Sequence, residues 1–388
     1  MLYFKANRRR VVSASIAVVA ALSMAACSSS SPGTTDAAST SPSTSPASSA
    51  AAPAASAAGS ASSGASAPAV PAGALSVTEQ QACDAASTSE GQLDYWTSTD
   101  PDVFKQEVAP FEQKYPKIKI NYTSLRPADM VQRLIAEVQA HHALDVDAVA
   151  GDLPSFAPLF DQKLIQPVDW TKLGVAADVQ FELKGFTTVR TYREVLGLGY
   201  NTQLVKEADL PSTWQELINS KWAGKIIADP RGVYLSGLAL GMGQDQAVSW
   251  FKDFLATDKP QIVKGATASM QKIISGESLL TTSSHDAEAT EQENKGAPVG
   301  IKYLDIVPTQ DWYALILKGA AHPNAAACFF GWWTGDEGQA QQLKYEFKTN
   351  KTTPDGLPAG AKLVAINDPD QAQTATDTAN TFAKLMGQ

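Results

Sequence analysis

In this chain of 388 residues, the side chains able to do chemistry gather at a few places. Thr97, Ser98 and Thr99 lie between an apolar stretch and the helix start Asp100-Pro101. Hydroxyls and amides at a helix N-terminus form a ready site for an anion or an oxygen ligand, and simple capping uses the same atoms. Thr281-Thr282-Ser283-Ser284-His285-Asp286 reads as a second run of hydroxyls, opening a polar helix. Ser283 and Ser284 would there suit a phosphate, phosphonate or carboxylate. His285 and Asp286 offer an imidazole and a carboxylate, which both suit a divalent ion, but no second histidine is close in sequence. Arg126 precedes a helix and points a guanidinium either into a cleft or to solvent. Arg190, Tyr192 and Arg193 cluster ahead of an apolar strand, and Tyr234 and Ser236 belong to a loop that begins at Asp229. Asp152 follows a short strand, where a turn role competes with ligand contact. His141-His142 reads as a helix-end dipole partner, His322 as part of a turn, and Trp332-Trp333 as core. Neither a Gly-x-Ser-x-Gly elbow nor a His-Glu-x-x-His helix occurs, so no enzyme and no cofactor is expected.

These residues need a scaffold, and the pattern after residue 90 supplies one. Gln92–Trp96 reads as a strand, and Asp100 caps a helix that Pro101 opens. Phe104, Val108, Phe111 and Tyr115 recur at helical spacing, with Pro110 expected to kink them. Ile118–Tyr122 alternates as a strand, Pro127 opens a helix carrying Met130, Leu134, Ile135 and Val138, and Asp145–Val149 is a third strand. This βαβαβ order implies a parallel sheet with right-handed crossovers. The alternation resumes with a strand Val195–Tyr200, a helix Pro211–Ile218, a strand Lys225–Ala228 and a helix bearing Val248, Phe251, Phe254 and Leu255. Thr267 is expected to cap a further helix. Strands are expected at Ser278–Thr281, Val299–Tyr303 and Trp312–Leu317, with helices from Pro323 onwards. Two α/β sheets follow, with ligands expected outside the carboxyl ends of their strands.

The first 74 residues are of another kind. Lys5, Arg8, Arg9 and Arg10 precede an apolar run from Val11, the layout of a removable export signal over residues 1–26. Leu22-Ser23-Met24-Ala25-Ala26-Cys27 resembles the bacterial lipobox, which implies lipidation of Cys27 and membrane contact through that anchor. Residues 27–74 are almost wholly Ser, Ala, Pro, Thr and Gly. Such a segment buries too little apolar surface to offset its entropy and is expected to be a disordered tether reaching on the order of 40 Å. The net charge of −9 argues against a nucleic-acid partner. With Cys27 lipidated, Cys83 and Cys328 remain in an exported protein, where pairing is expected.

Ordered motifs then become specific. Tyr95-Trp96-Thr97-Ser98-Thr99-Asp100-Pro101, Phe111-Glu112-Gln113-Lys114-Tyr115-Pro116, Arg133-Leu134-Ile135-Ala136-Glu137 and Gly199-Tyr200-Asn201-Thr202 resemble extracellular solute-binding proteins of bacterial ABC importers. So do Pro211-Ser212-Thr213-Trp214, Lys221-Trp222-Ala223-Gly224-Lys225-Ile226 and Ala321-His322-Pro323-Asn324 with Gly338-Gln339. The set is most similar to the branch that binds ferric iron, phosphonates, sugar phosphates, thiamine and polyamines. The resemblance implies an α/β, two-lobed type II periplasmic-binding-protein-like fold with two crossing hinge strands. Lobe one would be 75–193 plus 308–388, and lobe two 194–307. It implies a small solute as ligand, ligand contact near Asp152 and Arg190, and ABC permease subunits as partners. Ferric relatives carry two adjacent tyrosines where this chain has His285-Asp286 or Asp286-Ala287, so the expectation is a small anion rather than tyrosinate-bound iron. A metal receptor with another donor set, a surface hydrolase and a cell-wall adhesion or sensor protein are the alternatives.

Overall fold

The computed structural model describes residues 72–351 and 356–388. The export signal, Cys27 and almost all of the tether lie outside the described residues. The elements run α1 (Glu79–Ala85), β1 (Gln92–Thr97), α2 (Pro101–Lys114), β2 (Lys119–Ser124), α3 (Pro127–Gln139), β3 (Ala148–Asp152), α4 (Leu153–Asp161), α5 (Trp170–Leu173), β4 (Gln180–Leu183) and the long β5 (Phe186–Asn201). The chain continues with α6 (Trp214–Leu217), β6 (Ile226–Ala228), α7 (Leu238–Met242), α8 (Gln244–Asp258), β7 (Gln261–Ile262), α9 (Ala266–Ile274), β8 (Leu280–His285), α10 (Asp286–Asn294) and β9 (Val299–Lys302). It ends with β10 (Ile306–Ile316), α11 (Pro323–Thr334), α12 (Asp336–Glu346), β11 (Lys362–Val364) and α13 (Pro369–Leu385).

Local chemistry sets the early boundaries. Asp100 accepts the N–H groups of Asp102 and Val103 and so starts α2, which runs through Pro110 without a break. α6 is shorter than its sequence promises, because Thr213 caps it only at Trp214. Thr267 does not cap α9; the cap position is Gly265, and Thr267 lies in the first turn.

Two sheets share one strand. In the first, β2, β1 and β3 are parallel, and β10 runs antiparallel to both β3 and β5. In the second, β5 pairs antiparallel with β8 and β9, and β6 lies parallel to β8 and β7. β5 changes partner between Val195, opposite Thr309, and Leu196, opposite His285. β10 makes the reciprocal change, pairing with β11 at Ile306–Pro308 and with β5 from Thr309. β5 and β10 are thus the backbone connections at the centre of the molecule.

Each sheet has its own core. Tyr95, Phe104, Phe111, Phe329, Phe330 and Trp332 pack on one face of the first sheet, and Met130, Leu134, Phe156 and Leu159 on the other. Trp214, Trp250, Phe251, Phe254 and Leu280 fill the second lobe. A disulfide joins Cys83 of α1 to Cys328 of α11. The last helix departs from the expected lobe-one placement of 308–388. Ala372 of α13 packs in the first lobe, whereas Phe382 stacks on Phe251 at 4.0 Å within the second. The reason is geometric: a helix of 17 residues is about 25 Å long and bridges both bodies.

Candidate functional site

Where β5 changes sheets, its side chains meet β10 and the segment after α12. Arg193 gives Asp311 two hydrogen bonds, at 2.7 and 2.6 Å, and Arg190 adds a third at 3.3 Å. Arg190 also donates to the Asn350 carbonyl and lies 5.0 Å from the Phe181 ring. These buried guanidiniums tie two strands and a loop together around one carboxylate. Between them, Tyr192 stacks on Trp312 at 5.2 Å.

The next residue, Glu194, opens on a chamber of about 310 Å³ between the lobes. Lobe one contributes Val103 of α2, Tyr345 and Glu346 of α12, and Lys348; lobe two contributes Thr267, His285, Glu288 and Glu291. Lys348 Nζ lies 3.2 Å from Glu194 and 3.1 Å from Glu346, and 4.6 Å from the centre of the Tyr192 ring. Burial pushes Glu194 up, but His285 and Lys348 outweigh it and hold the carboxyl below its ordinary range. Burial lowers the Lys348 ammonium less than its two carboxylates raise it. Glu288 is raised by burial, and its Oε2 has no hydrogen-bond partner. Beneath the chamber, Glu107 of α2 is fully buried against Glu346, and burial together with the charge and hydrogen bond of Glu346 lifts it to about 9. A second chamber of about 260 Å³ adjoins on the other side of β5, lined by Arg193, Asp286, Thr290, Tyr303, Thr349 and Lys351 among others.

Several residues expected from sequence reach this cleft region. Thr99 donates to Glu346 at 3.4 Å; the adjoining Thr97 is buried beside the Tyr95 hydroxyl, and Ser98 between them is only partly exposed. His285 lines the first chamber and caps α10, its Nδ1 accepting the Glu288 N–H at 3.4 Å. Asp286 lines the second and accepts the Val195 N–H at 3.0 Å, which fastens lobe two to the hinge strand. Tyr234 is raised first by burial, with Arg231 opposing and the charges of Asp229, Glu194 and Glu288 adding to the rise.

Others do not. Ser283 and Ser284 belong to β8, not to a helix start, and have no exposed surface; a central strand turns both faces into packed layers. Arg126 is 85% exposed and pairs with Asp129, so it faces solvent rather than a cleft. Asp152 caps α4 through Ser155 and borders a separate cavity of about 80 Å³. Ser236 is buried and donates to the Val233 carbonyl. Arg190 is consumed by the packing around Asp311, whereas Tyr192 stacks on Trp312 and turns its ring towards Lys348 in the first chamber.

Sequence reading missed Glu107, Glu194, Glu288, Glu291, Glu346 and Lys348 as a set. Glu107 did carry a signal: it stands among Phe104, Val108 and Phe111 on the apolar side of α2, where a charge is costly without a purpose. Among the described residues, three possible metal-ligand side chains converge within 4.8 Å at Asp94, Asp147 and His322 alone. There Asp147 accepts the N–H groups of Asp94 and His322 and faces the His322 ring at 2.8 Å, so His322 anchors the start of α11.

Residues 106–350 match the family described as bacterial extracellular solute-binding protein. No curated protein matches the chain. Among solved structures, iron-bound HitA from Pseudomonas aeruginosa superposes with a TM-score of 0.61 at 16% identity, over 76% of this chain and 99% of HitA. AfuA from Actinobacillus pleuropneumoniae, with fructose-6-phosphate bound, gives 0.57 at 21% identity over 76% of this chain and 97% of its own. AgtB from A. tumefaciens, in complex with agropinic acid, gives 0.56 at 16%, covering 77% and 99%. At these identities the likeness is one of fold, the type II periplasmic binding protein. With a matching segment that covers most of the chain, this protein belongs to the bacterial extracellular solute-binding proteins of ABC importers.

Proposed function

We propose that the chain captures a small solute between its two lobes and hands it to the membrane subunits of an ABC importer, without chemical turnover. The observation that carries this reading is the pair of chambers flanking β5 at its change of sheet, each lined from both lobes. A solute seated there touches both bodies and the strand that connects them, so binding and hinge closure share one free energy. Residues 27–74 and a lipidated Cys27 would hold the receptor at the outer face of the membrane; loss of acyl labelling in Cys27→Ser would support the anchor, and unchanged labelling would remove it.

The small anion expected from sequence has less support than the receptor role. Ser283 and Ser284 are packed inside β8, Arg190 and Arg193 hold Asp311, and Arg126 faces solvent. A thermal-shift screen over sugars, phosphates, carboxylates, amines and metal ions tests the receptor reading. A true ligand raises stability as RT ln(1 + [L]/Kd), about 2.7 kcal/mol at a hundredfold excess over Kd. Turnover of any compound in the screen would overturn the absence of enzymatic activity.

A further inference from the structure

The first chamber contains a group that shows what its walls accept. The Lys348 ammonium is held by the carboxylates of Glu194 and Glu346 and by the face of Tyr192. Two acceptors and an aromatic face are the elements by which proteins recognise an ammonium ion. Lys348 is the one Lys or Arg among the residues lining this chamber, against the carboxylates of Glu194, Glu288, Glu291 and Glu346. Glu291 also has an exposed partner in Lys295. Glu288 is nine-tenths buried, and its Oε2 makes no hydrogen bond. Buried acceptors are costly when left unmatched, and Glu288 Oε2 is one that this chamber leaves without a donor.

Resting on the receptor reading above, we infer that this chamber takes the protonated amine of a small organic solute, which competes with Lys348 for Glu194 and Glu346 and also bonds Glu288. A metal ion fits less well, because no three of the chamber's possible ligand atoms among the described residues come within 4.8 Å and Lys348 stands among them. An anion would face the carboxylates with Lys348 as its one lining cation. Glu346 also accepts from Thr99, and Glu288 faces His285, so the amine would be gripped from both lobes.

The test is calorimetry on the purified chain with putrescine, spermidine and glucosamine as amine probes. Fructose 6-phosphate, inorganic phosphate, citrate and ferric citrate serve as comparisons. An amine should bind, Glu288→Gln should weaken it tenfold or more, and Lys348→Met, which removes the competitor, should tighten it several-fold. Binding of an anion or metal probe alone, with Lys348→Met abolishing the anion, would overturn the amine inference and leave the receptor standing. An amine that binds equally to wild type and to both Glu288→Gln and Glu194→Gln would overturn this chamber as its site. If no probe of any class binds, the receptor reading fails and the amine inference with it. Circular dichroism of each variant separates lost binding from lost fold, and Glu288→Asp, which keeps the charge, should recover part of the affinity.

Discussion

At the scale of residues, the cleft is an exercise in placing carboxyl groups beside too few cations. Glu107 illustrates the consequence for pH. Its folded-state value of about 9 exceeds the ordinary 4.5, so the folded protein retains a proton that the unfolded chain has released. Stability then falls as pH rises through that interval, and the proton-linked contribution is fully lost above the folded value. Glu107→Gln should flatten the decline and raise the melting temperature by several degrees at pH 8; a variant curve parallel to wild type from pH 5 to 9 would rule this out. Asp311 matters differently, as the one carboxylate its two arginine neighbours share. Asp311→Ala removes the carboxylate that two buried guanidiniums share and should cost about 3–5 kcal/mol in denaturant unfolding. A loss under 1 kcal/mol would show that Arg190 and Arg193 find other acceptors.

At the scale of elements, what was legible depended on how local the signal was. Asp100-Pro101, Pro127 and the spacing of Phe104, Val108 and Phe111 are contained within single helices, so α2 and α3 could be placed from sequence. The hydroxyl run at residues 281–284 misled because Thr and Ser suit a helix start and a buried strand alike; only pairing with Gly197 and Gly199 of β5, some 80 residues earlier, decides between them. Those glycines allow the approach: a Cβ at Gly199 would lie 2.8 Å from Thr281 and 2.9 Å from Ser284. The chamber was illegible for the same reason, since Glu194, Glu288 and Glu346 come from three elements and each alone reads as a solvated charge; Glu107, on the apolar side of α2, was the exception. The α1–α11 disulfide closes a loop with a sequence separation of 245. Cross-linking so long a loop restricts the unfolded chain by on the order of 5 kcal/mol. The double variant Cys83→Ser/Cys328→Ser should therefore melt well below wild type, and equal stability would mean that packing of α1 on α11 suffices.

At the scale of the whole molecule, β5, β10 and α13 each span both lobes among the described residues. The strands can twist at Val195–Leu196 and at Pro308–Thr309, where each changes partner, but α13 is fixed at both ends by buried side chains. Its Ala372 belongs to the core around Phe156 and Leu159, and its Phe382 to the core around Trp250 and Phe251. Close packing continues at Gly232, where a Cβ would approach the Ala379 carbonyl and Phe382 to 2.7 Å. A helix seated in two cores makes loosening of one lobe felt by the other, so wild type should unfold in a single calorimetric transition. Phe382→Ala removes a stacked ring from lobe two, at a cost of about 3–5 kcal/mol, while leaving the Ala372 end in place. The melt should then split, lobe two unfolding first and lobe one near its original temperature. A single transition moved bodily downward would show instead that β5 and β10 alone couple the lobes, and α13 would be a passenger on the second.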